Sequence, residues 1–278
     1  MLTLSSDFGS PYPAAMKGVI LTRSDARLVD VTHDLPRQDV RAAAFWLRET
    51  LPYFPPGTHL VVVDPGVGTD RAAIVVRAGE HTLVGPDNGV CFPPARRLAD
   101  GGPIETYTID ERHIEPVEPV GGSGIDESAP PNGGQGPASN TFHGRDVFAP
   151  ASAVVHDTPI GALAELEFLT PAETAVELEL PTATVTTDRA DGEVLVVDDF
   201  GNVITNVPGS YLADRERIVA NGDPVPVGET FAVVPVGDRL ATIGSHGYVE
   251  LDVNQGRGDE AFGLTAGDGV VLESAEEN

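Results

Sequence analysis

Leu60-Val61-Val62-Val63-Asp64-Pro65-Gly66-Val67-Gly68-Thr69-Asp70-Arg71 is the stretch on which the fold turns. Its apolar run is too short for a helix and stops at Pro and Gly, so it reads as a buried strand. The strand delivers Asp64 into a loop whose glycines allow tight turning and close approach of backbone to a ligand. Arg71 follows seven residues after the acid. On local sequence alone, a turn acid and a surface arginine remain the plainer description. The loop has neither GK[ST] nor GxGxxG, which excludes a nucleotide-phosphate cradle.

Outward from this strand, apolar β-type runs alternate with helical stretches. Met1–Ser5, Leu28–Val31, Ala73–Val76 and Thr82–Val84 read as strands. Ala14–Thr22, Val40–Leu51 (with Phe45, Trp46 and Leu47) and Ala149–His156 read as helical. Such alternation predicts an α/β domain over residues 1–175. Pro171–Pro181 reads as a linker. Beyond it strands dominate, at Val194–Val197, Val203–Asn206, Phe231–Val236 and Tyr248–Val253, and predict a small β domain over 182–278. Gly121–Ser139, rich in Gly, Pro, Ser and Asn, reads as a flexible insertion. Ser274–Asn278 reads as a frayed end.

Lys and Arg number 17 against 43 Asp and Glu, a formal net charge of −26, and Lys17 is the one lysine. So acidic a chain repels nucleic acid and anionic membrane. The acids are scattered rather than gathered into a tail or a calcium loop, and lysine is almost absent. A salt-adapted, halophile-like surface therefore fits better than an acidic partner-binding protein or a divalent-cation binder. Met1–Ser6 lacks a basic and a long apolar region, and no apolar run is long enough to span a bilayer. Cys91, the one cysteine, makes neither an internal disulfide nor a cysteine-rich zinc site. The expectation is a cytoplasmic protein.

Several further segments carry chemistry. Ser5-Ser6-Asp7-Phe8-Gly9 places an acid where a strand ends, the usual ligand position in open α/β sheets. Asp7 there suits a ribose diol, although a helix cap or turn acid is equally served. Asn140-Thr141-Phe142-His143-Gly144-Arg145-Asp146 surrounds a histidine with charge. Asp30-Val31-Thr32-His33-Asp34 holds a second histidine in a polar turn, whereas His59, His81, His113 and His156 lack such neighbours. Gly85-Pro86-Asp87-Asn88-Gly89 is a turn signal. In Val197-Asp198-Asp199-Phe200-Gly201-Asn202, Phe200 offers a stacking face and Asn202 a donor and acceptor for a base edge. Gly244-Ser245-His246-Gly247-Tyr248-Val249-Glu250-Leu251-Asp252-Val253-Asn254 taken alone reads as an edge strand.

In order, these segments resemble the landmarks of the S-adenosyl-L-methionine (SAM) hydroxide adenosyltransferase family, a relative of the SAM-dependent fluorinases and chlorinases. The resemblance runs over nearly the whole chain except Gly121–Ser139, and rests most on VDPGVG, TFHGRD and FGN-x-x-TN. It implies an α/β N-terminal domain with a central sheet and a small antiparallel β C-terminal domain. It also implies a homotrimer, with SAM bound where the N-domain of one subunit meets the C-domain of the next. The family's hydroxide-handling residues correspond to Asp64, Arg71 and His143, and its ribose-diol acid to Asp7. Asp198, Phe200 and Asn202 correspond to nucleoside contacts, with Asp198 and Asp199 both open for the acid. Ser245, Glu250, Val253 and Asn254 correspond to later nucleoside and methionine contacts.

The implied activity is hydrolysis of SAM to adenosine and methionine, without metal or cofactor. Arg71 cannot be the base, because guanidinium stays protonated. Imidazole, with an ordinary pKa near ~6.5, is the natural proton acceptor or orienter; between Asp64 and His143 the choice stays open. Three rivals are a SAM-dependent halogenase, a non-catalytic adenosine-binding protein, and a metal hydrolase on Asp7, His33, Asp64 and His143, whose spacing matches no metal motif.

Overall fold

The structure, a computed structural model, describes residues 1–115 and 141–275. Gly121–Ser139 lies outside the described residues, as do the last three residues of the chain. The chain divides into two compact units, Met1–Glu179 and Leu180–Asn278.

The first unit is built on a seven-stranded sheet, in the order β2 (Leu28–Thr32), β1 (Leu2–Ser6), β3 (Thr58–Val62), β5 (His81–Pro86), β4 (Ala73–Ala78), β6 (Ile104–Ile109), β7 (Leu169–Pro171). β2, β1, β3 and β5 run parallel, and β4, β6 and β7 add antiparallel strands. Side chains alternate across β3 and the residue after it. Leu60 and Val62 join the core with Met16 and Ile20 of α1 (Tyr12–Leu21) and Ala151 and Val155 of α4 (Ala149–Asp157). Val61 and Val63 join the other core, with Ala43 and Leu47 of α2 (Val40–Thr50) and Ala95 of α3 (Phe92–Ala99). A strand covered on both faces favours apolar residues on each, which is why residues 60–63 read as an unbroken run. Each such side chain, fully buried, contributes ~1.5–3 kcal/mol relative to exposure. Asp39 caps α2 by accepting from the Ala42 amide at 2.9 Å, and prolines occupy the first turns of α1 and α3, where no amide hydrogen is needed.

The second unit is an antiparallel sheet in the order β12 (Asp223–Pro226), β11 (Arg217–Ala220), β15 (Gly269–Ser274), β9 (Arg189–Val197), β10 (Val203–Pro208), β14 (Tyr248–Val253), β13 (Arg239–Ile243), with β8 (Thr184–Val185) on β9. Just past β12, the Gly228 amide donates to the Ala241 carbonyl of β13 at 3.0 Å. That contact brings the two edges together and nearly closes a barrel around Val194, Val203, Val207, Val249, Leu251 and Leu272.

Three expectations fail. Phe231–Val236 is no strand: it is a single 3-10 turn, Phe231–Val233, running into irregular chain. Phe231, Val233 and Val236 are all exposed, so their β-type character reflects a surface rather than a core. Ser274 is not frayed; it ends β15 and pairs with Ile218. The linker expected from Pro171 begins later, because Pro171 pairs with Tyr107 in β7. Among the described residues, no helix is long and apolar enough to cross a membrane.

Candidate active site

In the first unit the candidate side chains gather at the carboxyl ends of the parallel strands. Ser6 pairs with Val62 in the last register step of β1 and β3, so Asp7 and Asp64 leave neighbouring strands just beyond it. Ala73, which opens antiparallel β4, pairs with Pro86, which closes β5. Arg71, two residues before β4, therefore enters the same end of the sheet. The Asp64 loop is braced from the Pro86-Asp87-Asn88-Gly89 turn, where the Asn88 side chain donates through Nδ2 to the Val63 carbonyl at 2.9 Å.

Arg71 grips Asp64 in a fork: Nε donates to Oδ1 at 2.9 Å and Nη2 to Oδ2 at 2.5 Å. Nη2 also lies 2.8 Å from Nδ1 of His143. The side chains of Arg71 and Asp64 are 10% and 6% exposed, and His143 is buried. The guanidinium carbon stands 5.0 Å from the centre of the Phe148 ring, and Glu111 Oε1 is 3.8 Å from Nη1. This is a planar cation held rigidly by a bidentate partner, an arrangement that adds orientation as well as energy. His143 stands directly before one turn of π-helix, Gly144–Phe148, which runs into α4; such turns recur at functional sites. Gly144 is required by packing: a Cβ there would sit 2.9 Å from the Met16 sulfur, 3.0 Å from Phe142 and 3.3 Å from Val62.

Asp7 is buried and accepts from the Gln38 amide through Oδ2 at 2.7 Å. Gln38 adopts a left-handed φ of 59°. The segment before it is anchored by Gly9 N to His33 O at 2.9 Å and Leu35 N to Ser6 O at 3.2 Å. His33 is occupied in the same scaffold, with Nδ1 2.7 Å from Ser6 Oγ and Nε2 3.1 Å from Asp30, which also takes Lys17. Phe8, Tyr12 and Phe142 meet edge to face, with centroids 5.5 to 6.1 Å apart. They tie the Asp7 loop to the segment that carries His143. His59 belongs to a different place, buried between Thr3 and His81 and pushed down to about 3 chiefly by burial. The four residues of a metal-hydrolase reading are poorly disposed for a cation. Both Asp64 oxygens and His143 Nδ1 already face the fixed positive charge of Arg71.

In the second unit, Asp198 is built into its own turn. Its Oδ1 accepts from the amides of Phe200 and Asn202, both at 2.9 Å, and Oδ2 from Asn202 Nδ2 at 3.0 Å. Phe200 is thrust into solvent, 78% exposed. Phe200, Asn202, Phe231 and Val253 line an open groove of about 640 Å³ with Asp199 and Arg257. Asp198 thus shapes the turn, and Asp199 borders the groove. Ser245 and Asn254 are not brought there. Ser245 lies exposed between β13 and β14, and Asn254 secures the chain before β13 through Val234 O and Asp238 O. Glu250 is buried beneath Gly244, where a Cβ would fall 1.7 Å from Glu250 Oε1. Burial, then the charges of Asp252 and Asp198, push Glu250 up to about 7. Burial raises Asp252 to about 6 against the opposing bond from Thr242.

Sequence reasoning missed Gln38, Glu111, Phe148 and Phe231. Phe148 lies one residue beyond the quoted histidine motif plus Val147, and Gln38 lies close after His33. Glu111 and Phe231 have no local signal: each opens a short 3-10 turn, Glu111–His113 and Phe231–Val233.

Residues 2–164 match the family model described as the SAM hydroxide adenosyltransferase N-terminal domain, and residues 192–271 match the corresponding C-terminal domain. The chain is 40% identical over 273 residues to the (R)-S-adenosyl-L-methionine hydrolase of Thermus thermophilus, covering 96% of this chain and 97% of that protein. It is 37% identical over 272 residues to the protein of the same name from Salinispora tropica, covering 96% and 95%. The solved structure of an uncharacterized conserved protein from Thermotoga maritima superposes with a TM-score of 0.78 at 29% identity, covering 98% of this chain and 99% of that one.

Proposed function

Since this chain belongs to the SAM hydroxide adenosyltransferase family, we propose that it hydrolyses S-adenosyl-L-methionine to adenosine and L-methionine by in-line attack of a water-derived hydroxide on the ribose 5′ carbon. The observation that carries this reading is the bonded cluster Asp64–Arg71–His143 at the strand ends. The substrate's sulfonium leaves as a neutral thioether, so attack by an anion merges two opposite charges. A pocket poor in water favours that transition state over the separated ions. Water, with a pKa near ~15.7, has to be stabilised as hydroxide. A buried guanidinium with its hydrogen-bonded neighbours supplies a fixed field for an anion, and in-line positioning contributes up to ~7–11 kcal/mol.

Asp7, with one oxygen on the Gln38 amide, keeps the other for the ribose diol. Phe200 stacks on adenine, and Asn202, whose amide nitrogen is engaged by Asp198, offers its carbonyl oxygen to the base edge. Val253 closes the groove wall, and Glu250, Ser245 and Asn254 serve the nucleoside and methionine ends. The assembly is a cytoplasmic homotrimer in which neighbouring subunits complete one another's sites. A binding protein without catalysis would have no use for a buried ion pair gripping an imidazole.

The test is product analysis. Incubation with SAM yields adenosine and methionine in equal amounts, and a chloride-rich buffer yields no 5′-chloro-5′-deoxyadenosine. Adenosine binding without methionine release, or a halogenated product, contradicts the reading.

A further inference from the structure

We infer that His143 holds the attacking oxygen as an N–H donor through Nε2 and is not the base that deprotonates water. The inference rests on the hydrolase reading above and divides the labour within that site. It follows from counting protons. Arg71 Nη2 carries two hydrogens; one meets Asp64 Oδ2 at 2.5 Å and the other meets His143 Nδ1 at 2.8 Å. Guanidinium has no acceptor to offer, so Nδ1 is the acceptor and carries no hydrogen. The neutral ring then bears its proton on Nε2, which makes no bond to any described residue. Imidazolium would turn an Nδ1–H against the Arg71 N–H, donor against donor, with two cations in contact.

The charges around this pair keep the arrangement in place. Asp64 is gripped through both oxygens, and Glu111 approaches Nη1 at 3.8 Å. Among the described residues, Nη1 otherwise reaches the Ala72 carbonyl at 3.4 Å. Through its Nη2 bond to Nδ1 the guanidinium polarises Nε2–H toward an anion. The step balances without a proton passing to His143. Water gives up one proton to solvent, and hydroxide remains against Nε2–H. Its oxygen forms the bond to the 5′ carbon as the carbon–sulfur pair leaves on sulfur, and adenosine keeps the hydroxide's own hydrogen.

Two measurements test this. In the full-length protein labelled with ¹⁵N-histidine, the ring assigned to His143 by comparison with His143→Asn carries its hydrogen on Nε2 and none on Nδ1. An Nδ1–H pattern or an imidazolium there overturns the inference. In kinetics, His143→Asn restores an acceptor and a donor but cannot titrate. Its kcat stands at least about tenfold above His143→Ala, the worth of a hydrogen bond of ~1.4 kcal/mol, and the rise of kcat with pH expected for hydroxide formed by proton loss to solvent persists. If His143 is the base, both variants lose ~10²–10⁴-fold alike and the rise disappears. The spectrum needs no turnover. A wild-type protein inert toward SAM therefore sinks the hydrolase reading and the attacking oxygen with it, whereas an active one with Nδ1–H sinks only this inference.

Discussion

At Arg71, geometry rather than charge alone decides what the side chain does. A lysine would keep the cation yet lose the fork on Asp64 and the shared Nη2 contact with His143. Arg71→Lys should lower kcat by about 10²–10³-fold, the loss seen when one preorganised electrostatic donor is removed, while the thermal midpoint stays near that of the wild type. Retention of wild-type turnover would remove the guanidinium from the chemistry. Glu250 makes a separate prediction. Its folded pKa is raised from 4.5 to about 7, so the folded state holds the proton more tightly than the unfolded chain. Stability attributable to that proton is full below pH 4.5 and is lost as pH rises through about 7. Glu250→Gln should therefore match the wild type in acid and gain in relative thermal stability toward neutral pH and above. A constant difference across that window would show that Glu250 ionises freely.

At the scale of elements, the π-turn Gly144–Phe148 fixes where His143 stands and puts Phe148 beneath Arg71. Gly144→Ala forces a methyl against Met16, Phe142 and Val62. Overpacking of this kind costs ~1–3 kcal/mol, and the displaced imidazole should lower kcat by about tenfold or more. Melting curves and turnover together check this; a variant equal to wild type in both would mean the turn is not under packing constraint. Asp64, Arg71 and His143 were legible as a set only through motif resemblance, since each alone reads as an ordinary turn acid, surface cation or structural histidine. The two-sided burial of β3 was legible because it leaves an unbroken apolar run. β6, β11, β12, β13 and β15 were not, because they are short or mix polar with apolar residues along strands covered unevenly. α3 was hidden by its opening Phe92-Pro93-Pro94, which reads as a breaker but is tolerated in a first turn. Phe231–Val236 misled for the opposite reason: β-type residues stand exposed on the surface, Phe231 bordering the groove, rather than in a sheet.

For the whole molecule, a formal charge of −26 with one lysine sets self-repulsion against compaction. Added salt shortens the screening length from roughly 30 Å at 0.01 M to 3 Å at 1 M. The thermal midpoint should accordingly rise with potassium chloride over that range, and an unchanged midpoint would show that the acidic surface is not a salt adaptation. The chemistry assigned to the molecule stands on attack at the 5′ carbon by oxygen drawn from water and held beside His143 and Arg71. The most direct measurement is mass spectrometry of products formed from SAM in ¹⁸O-water. One heavy oxygen should appear in adenosine and none in methionine. Unlabelled adenosine, or label in the methionine-derived product, would contradict hydroxide attack at that carbon.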